Sequence, residues 1–376
     1  MTERIRDFLR TERPEGPCLV VDLDVVRAQY DRFARSMPDT RIFYAVKANP
    51  APEVLHALAE MGSCFDTASV AEIHMALAAG ATPDRISFGN TIKKERDIAR
   101  AFELGIRLYA VDCLAEVEKI ARAAPGSRVF CRILSDGAGA EWPLSRKFGC
   151  VPDMAPDVLE HAHVRGLVAY GVSFHVGSQQ VNTEAWDSAL ASSAAIFREM
   201  AERGITLKMV NMGGGFPTRY LRQVPEVHAY GRSITAAVRR HFGNDLPETI
   251  IEPGRGMVGA AGVIKAEVVL ISKKSDADEI RWVYLDIGKF GGLAETIDES
   301  IRYPILTGRD DAEKTPCVLA GPTCDSVDVM YEKVPYLLPV SLEIGDEVLI
   351  EGTGAYTTTY SAVAFNGFDP LKSYII

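Results

Sequence analysis

Residues 41–66 read RIFYAVKANPAPEVLHALAEMGSCFD: an aromatic and β-branched run over 41–46, a stretch of helical period over 52–61, and a second short apolar run over 63–66. Strand, crossover and strand in that order make a parallel unit, because parallel strands need a long connection to bring the chain back to the same end of the sheet. The alternation continues to residue 255. Further strand candidates are 86–89, 107–111, 128–133, 167–175, 209–212 and 249–251, eight in all, with helical stretches such as 70–79, 93–104, 116–123, 183–203 and 227–242 between them. Eight β-then-α units is the number that closes a (β/α)8 TIM barrel, an α/β fold. On pattern alone a doubly wound open sheet is the rival.

After about residue 262 the period changes. The segments 262–271, 282–285, 317–320 and 347–351 are strand-like with few long helical stretches between them, and the Ile344-Gly345-Asp346 turn before 347–350 suggests a β-hairpin. The expected organisation is a barrel over 23–262 and a C-terminal β-domain over 263–376 joined by 1–22.

A chain of 376 residues exceeds the size at which one core usually stops growing, which agrees with two domains. A net charge of −10 without a Lys/Arg run argues against nucleic-acid binding. Residues 1–17 are charged and lack an apolar core, and no apolar run is long enough to span a bilayer, so a cytoplasmic protein without membrane contact is expected. The seven cysteines are odd in number and contain no C-x-x-C pair, which reads as reduced thiols and no metal site.

The residues just past the strands, which a barrel gathers at one mouth, decide between barrel and open sheet. They are Lys47, Asp66, Asn90, Asp112, Arg132, 175–178, Gly213-Gly214-Gly215 and 252–255, nearly all polar or glycine. Barrel enzymes place their reacting groups at this end. Lys47 closes an apolar aromatic strand, where partial desolvation lowers an amine's pKa enough to attack an aldehyde; a lysine merely emerging from a strand is the plainer reading. The glycine turn lets successive N–H groups converge on an anion, or is simply tight. Arg255 and Ser178 add a cation and a hydroxyl, so phosphate is an economical common ligand. Glu252 beside a pyridine nitrogen would favour its protonated form, and His175 offers a flat ring. In the β-domain, Cys324-Asp325 sets a thiol beside a carboxylate, and Tyr356 offers a phenol.

Taken in order, Phe43-Tyr44-Ala45-Val46-Lys47-Ala48-Asn49, His175-Val176-Gly177-Ser178, Gly213-Gly214-Gly215-Phe216-Pro217, Glu252-Pro253-Gly254-Arg255, Cys324-Asp325-Ser326-Val327-Asp328 and Gly354-Ala355-Tyr356 resemble the fold-type III pyridoxal-5′-phosphate (PLP) decarboxylases over nearly the whole chain. Within that group the chain is most similar to bacterial ornithine decarboxylases. The resemblance implies an alanine-racemase-like barrel with a β-domain, and a homodimer whose active sites are shared between subunits. It implies that Lys47 carries the cofactor, Glu252 pairs with the pyridine nitrogen and His175 stacks on the ring. Ser178, Gly213, Gly214, Gly215, Gly254, Arg255 and Tyr356 would hold the phosphate, with Asp66 and Arg132 in support. Cys324 would protonate Cα, while Asp325 with Asp298 or Glu299 would receive the distal amine of ornithine, released as putrescine. Cys-Asp-Ser at 324–326 fits the ornithine enzymes, whereas Thr296-Ile297-Asp298-Glu299-Ser300 departs from their usual Tyr-Asp. Lysine/ornithine or diaminopimelate decarboxylation, an amino-acid racemase on the same fold, and a non-catalytic regulatory homologue are the alternatives.

Overall fold

A computed structural model describes residues 1–135, 137, 139–142 and 146–376. Eight strands, Thr40–Ala45, Cys64–Thr67, Ile86–Phe88, Leu108–Val111, Arg128–Arg132, Val168–Ser173, Met209–Asn211 and Glu248–Ile251, form a closed barrel. Each is parallel to its neighbours, and the last pairs with the first through Thr249 opposite Thr40. That closing pair excludes the open sheet. All eight expected strands are present, each within about two residues of its expected bounds.

The barrel interior is filled by Phe43, Cys64, Leu108, Ala110, Phe130, Met209 and Ile250, which pack as one cluster. Leu108 and Ala110 lie two apart because alternate side chains on a strand share a face. The intervening residues are also buried, since helices cover the outside; Val54, Leu55, Ala57 and Leu58 of the helix Pro52–Glu60 are examples. Gly171 is forced by this packing: a Cβ there would lie 2.0 Å from the Met209 carbonyl oxygen.

The chain divides into two compact units, one of Arg27–Pro217 with Val224–Met257 and one of Met1–Val26, Thr218–Gln223 and Val258–Ile376. The second contains an eight-stranded sheet. Its strands run in the order Ile305–Thr307, Glu347–Glu351, Gly262–Ser272, Arg281–Leu285, Lys314–Ala320 and Val329–Pro339; Cys18–Val21 pairs with Gly262–Ser272 and with Lys372–Ile375. The hairpin expected around 344–346 is corrected here. The turn exists, but Glu347–Glu351 pairs antiparallel with Gly262–Ser272 and Ile305–Thr307, and Gly345 N–H donates to the Val268 carbonyl at 2.8 Å. No strand immediately precedes the turn, so its partners come from far away in sequence.

The strand Val329–Pro339 was not expected, because Pro335 and Pro339 interrupt its pattern. It lies at the edge of the sheet, where a residue without an N–H is tolerated. The helix Glu3–Glu12 was also unexpected; Thr2 caps it by accepting the Ile5 N–H, and Ile5 and Leu9 are its buried face. Among the described residues no helix is long and apolar enough to cross a membrane.

Candidate active site

Lys47 sits where the first barrel strand turns over into a single 3-10 turn, Val46–Ala48. Val46 and Ala48 are buried while Lys47 between them is exposed. The turn is held by the Tyr44 hydroxyl, which donates to the Asn49 carbonyl at 2.9 Å, and by Asn49 Oδ1, which accepts the Ala51 N–H at 3.1 Å. The aromatic character of 43–44 and the asparagine at 49 therefore fix the lysine's position. Its positive charge acts on Asp66, Glu72 and His175, lowering the proton affinity of all three.

Asp66 ends the second strand, buried, with Oδ1 accepting from the Ser87 hydroxyl at 3.0 Å. Burial and then the nearby Glu252 push its pKa well above the usual carboxylate range, with Lys47 partly opposing. Gly89 leaves the space that the Asp66 carboxylate fills, since a Cβ there would lie 1.9 Å from Oδ1. Arg132, at the end of the fifth strand, is a permanent cation surrounded by the carboxylates of Glu252, Asp66 and Asp112; burial lowers its pKa without discharging it.

His175 follows the sixth strand. Burial, Arg132 and Lys47 push its pKa down to about 3. Its Nδ1 lies 2.9 Å from the Gly177 N–H, so Nδ1 is the acceptor and the neutral ring carries its proton on Nε2. Glu252 follows the eighth strand, and its Oε1 accepts from Asn211 Nδ2. The same Asn211 accepts the Gly213 N–H through Oδ1 at 3.0 Å. Asn211, 2% exposed, thus ties the Glu252 carboxylate to the glycine turn.

The three glycines form a cradle in which no side chain fits. A Cβ on Gly213 would lie 2.2 Å from the Phe174 carbonyl oxygen, on Gly214 2.6 Å from that of Glu252, and on Gly215 2.5 Å from that of Gly177. Gly213 and Gly215 also have φ of 64° and 104°, which β-carbon-bearing residues rarely adopt. Beside this segment the Arg255 Nη2 reaches the Ser178 hydroxyl at 3.5 Å, and Gly254 precedes the short helix Arg255–Val258. One unit therefore brings together Lys47, Asp66, Arg132, His175 and Glu252, with Ser178, Gly213, Gly214, Gly215, Gly254 and Arg255. An amine, a carboxylate for a ring nitrogen, a neutral aromatic face and a glycine-lined anion cradle with a guanidinium match a phosphorylated aromatic aldehyde in each of its parts.

Cys324, Asp325, Asp298, Glu299 and Tyr356 belong to the other unit. The Cys324 thiol is exposed, and its backbone N–H donates to Asn366 Oδ1 at 2.8 Å. Asp325 Oδ1 accepts the Val327 N–H at 2.9 Å. Asp298 and Glu299 have consecutive positive φ values of 54° and 58°, but their carboxylates meet different partners. Both Glu299 oxygens are engaged, Oε1 by the N–H groups of Glu332 and Lys333 and Oε2 by the Val334 N–H and the Arg302 guanidinium. Asp298 is exposed, with Oδ1 3.2 Å from the Nζ of the likewise exposed Lys333. Tyr356 holds φ of 57° with its ring 5.7 Å from that of Tyr360.

Sequence reasoning missed Asn211, Glu72 and Asn366. Glu72 had a readable signal in Ser69-Val70-Ala71-Glu72, the S-x-x-E pattern of a helix start: the Ser69 hydroxyl accepts the Glu72 N–H, and Glu72 reaches back to the N–H of Ala68, one residue before the N-cap.

Residues 23–259 match the family model for the pyridoxal-dependent decarboxylase, pyridoxal binding domain. The chain is 35% identical to the lysine/ornithine decarboxylase of Selenomonas ruminantium, covering 95% of this chain and 88% of that one. It is 34% identical to a chloroplastic ornithine decarboxylase of Nicotiana glutinosa (98% and 87% covered) and 32% identical to antizyme inhibitor 2 of Xenopus laevis (98% and 82% covered). Among solved structures, the arginine decarboxylase of Paramecium bursaria Chlorella virus superposes with a TM-score of 0.90 at 29% identity, covering 100% of both chains.

Proposed function

The chain belongs to the pyridoxal-dependent decarboxylase family, which includes lysine/ornithine, ornithine and arginine decarboxylases, and from that premise we propose that it converts L-ornithine to putrescine and CO2 as a homodimer with shared active sites. When bound, PLP supplies the electron sink that accommodates the pair left on Cα as CO2 departs. Lys47 provides the amine that anchors the cofactor. Glu252, oriented by Asn211, holds a proton on the pyridine nitrogen, and its charge near that atom is what makes the sink effective. His175, kept neutral, provides an apolar face without adding a competing cation. Gly213, Gly214 and Gly215 with Ser178, Gly254, Arg255 and Tyr356 hold the phosphate, while Asp66 and Arg132 balance charge around Glu252. Cys324 of the partner subunit returns a proton to Cα, and Asp325 beside it receives the substrate's distal ammonium.

The observation that carries the substrate reading is the pairing of a thiol with adjacent acid at Cys324-Asp325, together with the exposed carboxylate of Asp298. Glu299, whose carboxylate is consumed by three backbone N–H groups and Arg302, is a structural residue in this reading. Asp325→Ala should raise KM for ornithine strongly, by the roughly 2–5 kcal/mol that follows from leaving an enclosed ammonium unmatched. Asp298→Ala should raise KM in the same direction. Glu299→Gln should instead lower Tm with KM little changed, because it weakens hydrogen bonds to the strand N–H groups of 332–334 and not a substrate contact. Steady-state kinetics and thermal melts of the three variants check this division; an unchanged kcat/KM in Asp325→Ala removes that residue from the substrate site.

The similarity to antizyme inhibitor 2 raises a regulatory reading without turnover. Retention of both Lys47 and Cys324 supports the catalytic one.

A further inference from the structure

The proposed chemistry leaves unexplained the loop that follows Tyr360. Ala364, Asn366 and Gly367 have φ of 58°, 52° and 81°, all in the left-handed region. Glycine enters that region freely and asparagine at little cost, but alanine does so only where its surroundings enforce it. The enforcing contacts are on either side. The Phe365 ring packs on Phe290 with centroids 4.6 Å apart, the Ala362 N–H donates to the Phe290 carbonyl at 2.8 Å, and the Leu371 N–H donates to the Ser361 hydroxyl at 3.0 Å. This arrangement presents Asn366 Oδ1 to the N–H of Cys324, 42 residues away in sequence, which it accepts at 2.8 Å.

A second anchor holds the other side of the same loop. Asp328, 2% exposed, accepts the Thr323 N–H at 3.1 Å, the Thr323 hydroxyl at 2.7 Å and the Lys289 N–H at 2.7 Å. Asp328 therefore fixes residue 323, whereas the contact made at residue 324 itself comes from Asn366. Cys324 is exposed, so its backbone direction is set by hydrogen bonds more than by side-chain packing: the turn closed by the Asp328 N–H on the Asp325 carbonyl at 3.1 Å on one side, and Asn366 at residue 324 itself.

We propose that Asn366 is a positioning residue that aims the Cys324 thiol at the carbon to be protonated, an inference that rests on the reading of Cys324 as proton donor. Proton delivery is sensitive to placement, and a displacement of about 1 Å costs on the order of a hundredfold in rate. CO2 loss precedes delivery and does not use the thiol. A misaimed loop accordingly leaves CO2 release largely intact and misdirects the proton onto the cofactor. With the cofactor bound, hydrolysis would then release an aminoaldehyde and leave the cofactor in its amine form. The two electrons lost by the amine carbon remain on the cofactor, so no external oxidant enters.

The test compares Asn366→Gly, which removes the acceptor and keeps the backbone relaxed, with Asn366→Asp, which retains an acceptor. Three readouts are taken on the holoenzyme with ornithine: CO2 released, the fraction of turnovers ending in aldehyde, and amide exchange at Cys324 without substrate. Asn366→Gly should raise the aldehyde fraction about five- to tenfold, the change in loop population that loss of one ordinary hydrogen bond allows. It should also speed exchange of the Cys324 N–H, and Asn366→Asp should return both towards wild type. Cys324→Ala runs beside them as the reference. If it raises the aldehyde fraction while Asn366→Gly does not, or if Gly and Asp variants lose activity equally with an unchanged fraction, the positioning role is overturned. If Cys324→Ala itself yields clean diamine at the original rate, the proton-donor reading fails, and the positioning role falls with it.

Discussion

Replacing Lys47 by alanine should abolish turnover, by roughly three orders of magnitude or more, the scale expected when a group that participates covalently is removed. It should also remove the borohydride-reducible attachment of PLP to the protein. Lys47 is exposed just past a strand whose last four residues, 42–45, are buried, inside a turn pinned by Tyr44 and Asn49, and its charge acts on Asp66, Glu72 and His175. Among the described residues, Lys93 is a buried lysine near a barrel strand end, but it is committed: its ammonium donates to the Asn90 and Ala110 carbonyls and pairs with Glu116 at 3.0 Å. Its pKa is pushed down to about 8 by burial, so it is the rival a labelling experiment must distinguish. Peptide mapping after reduction should find the tag on Lys47 in the wild type and none in Lys47→Ala. A tag at full yield in that variant would place the anchor elsewhere.

Activity should reappear when two inactive or impaired proteins are mixed. Lys47 and Cys324 belong to different compact units, and the proposed dimer builds each site from Lys47 of one chain and Cys324 of the other. In a two-fold dimer every interface contact occurs twice. A heterodimer of Lys47→Ala with Cys324→Ala then has one site with both defects and one with neither. Equal amounts, random pairing and independent sites give about a quarter of wild-type activity in the mixture. Sites built within single chains would each carry one defect in the heterodimer. A mixture no more active than the average of its parents therefore excludes shared sites.

The barrel was legible because its strands are buried on both faces and read as short apolar runs broken at a regular interval, each ending in glycine or a polar group. Asp66, Arg132, His175 and Glu252 could be picked out for that reason: an ionisable side chain at or just past the end of a buried strand is conspicuous. Asn211 was not, since a neutral amide in a strand reads as an ordinary core polar residue until the Glu252 carboxylate and the Gly213 N–H are seen on either side of it. The β-domain was harder for a different reason. Glu347–Glu351 finds its partners at 262–272 and 305–307, and pairings of that range leave no local pattern. The choice between Asp298 and Glu299 could not be made from adjacent acidic letters; it depends on backbone N–H groups at 332–334 that capture one carboxylate and leave the other exposed.

Ornithine decarboxylation is tested by supplying the purified protein, loaded with PLP, with L-ornithine, L-lysine or L-arginine in separate reactions and identifying both the gas and the amine released. The account predicts CO2 and putrescine in equal amounts from ornithine, with kcat/KM higher than for the other two amino acids. Faster cadaverine formation from lysine would contradict the ornithine assignment, and a retained carboxylate with inverted Cα, or no CO2 from any of the three, would contradict decarboxylation itself.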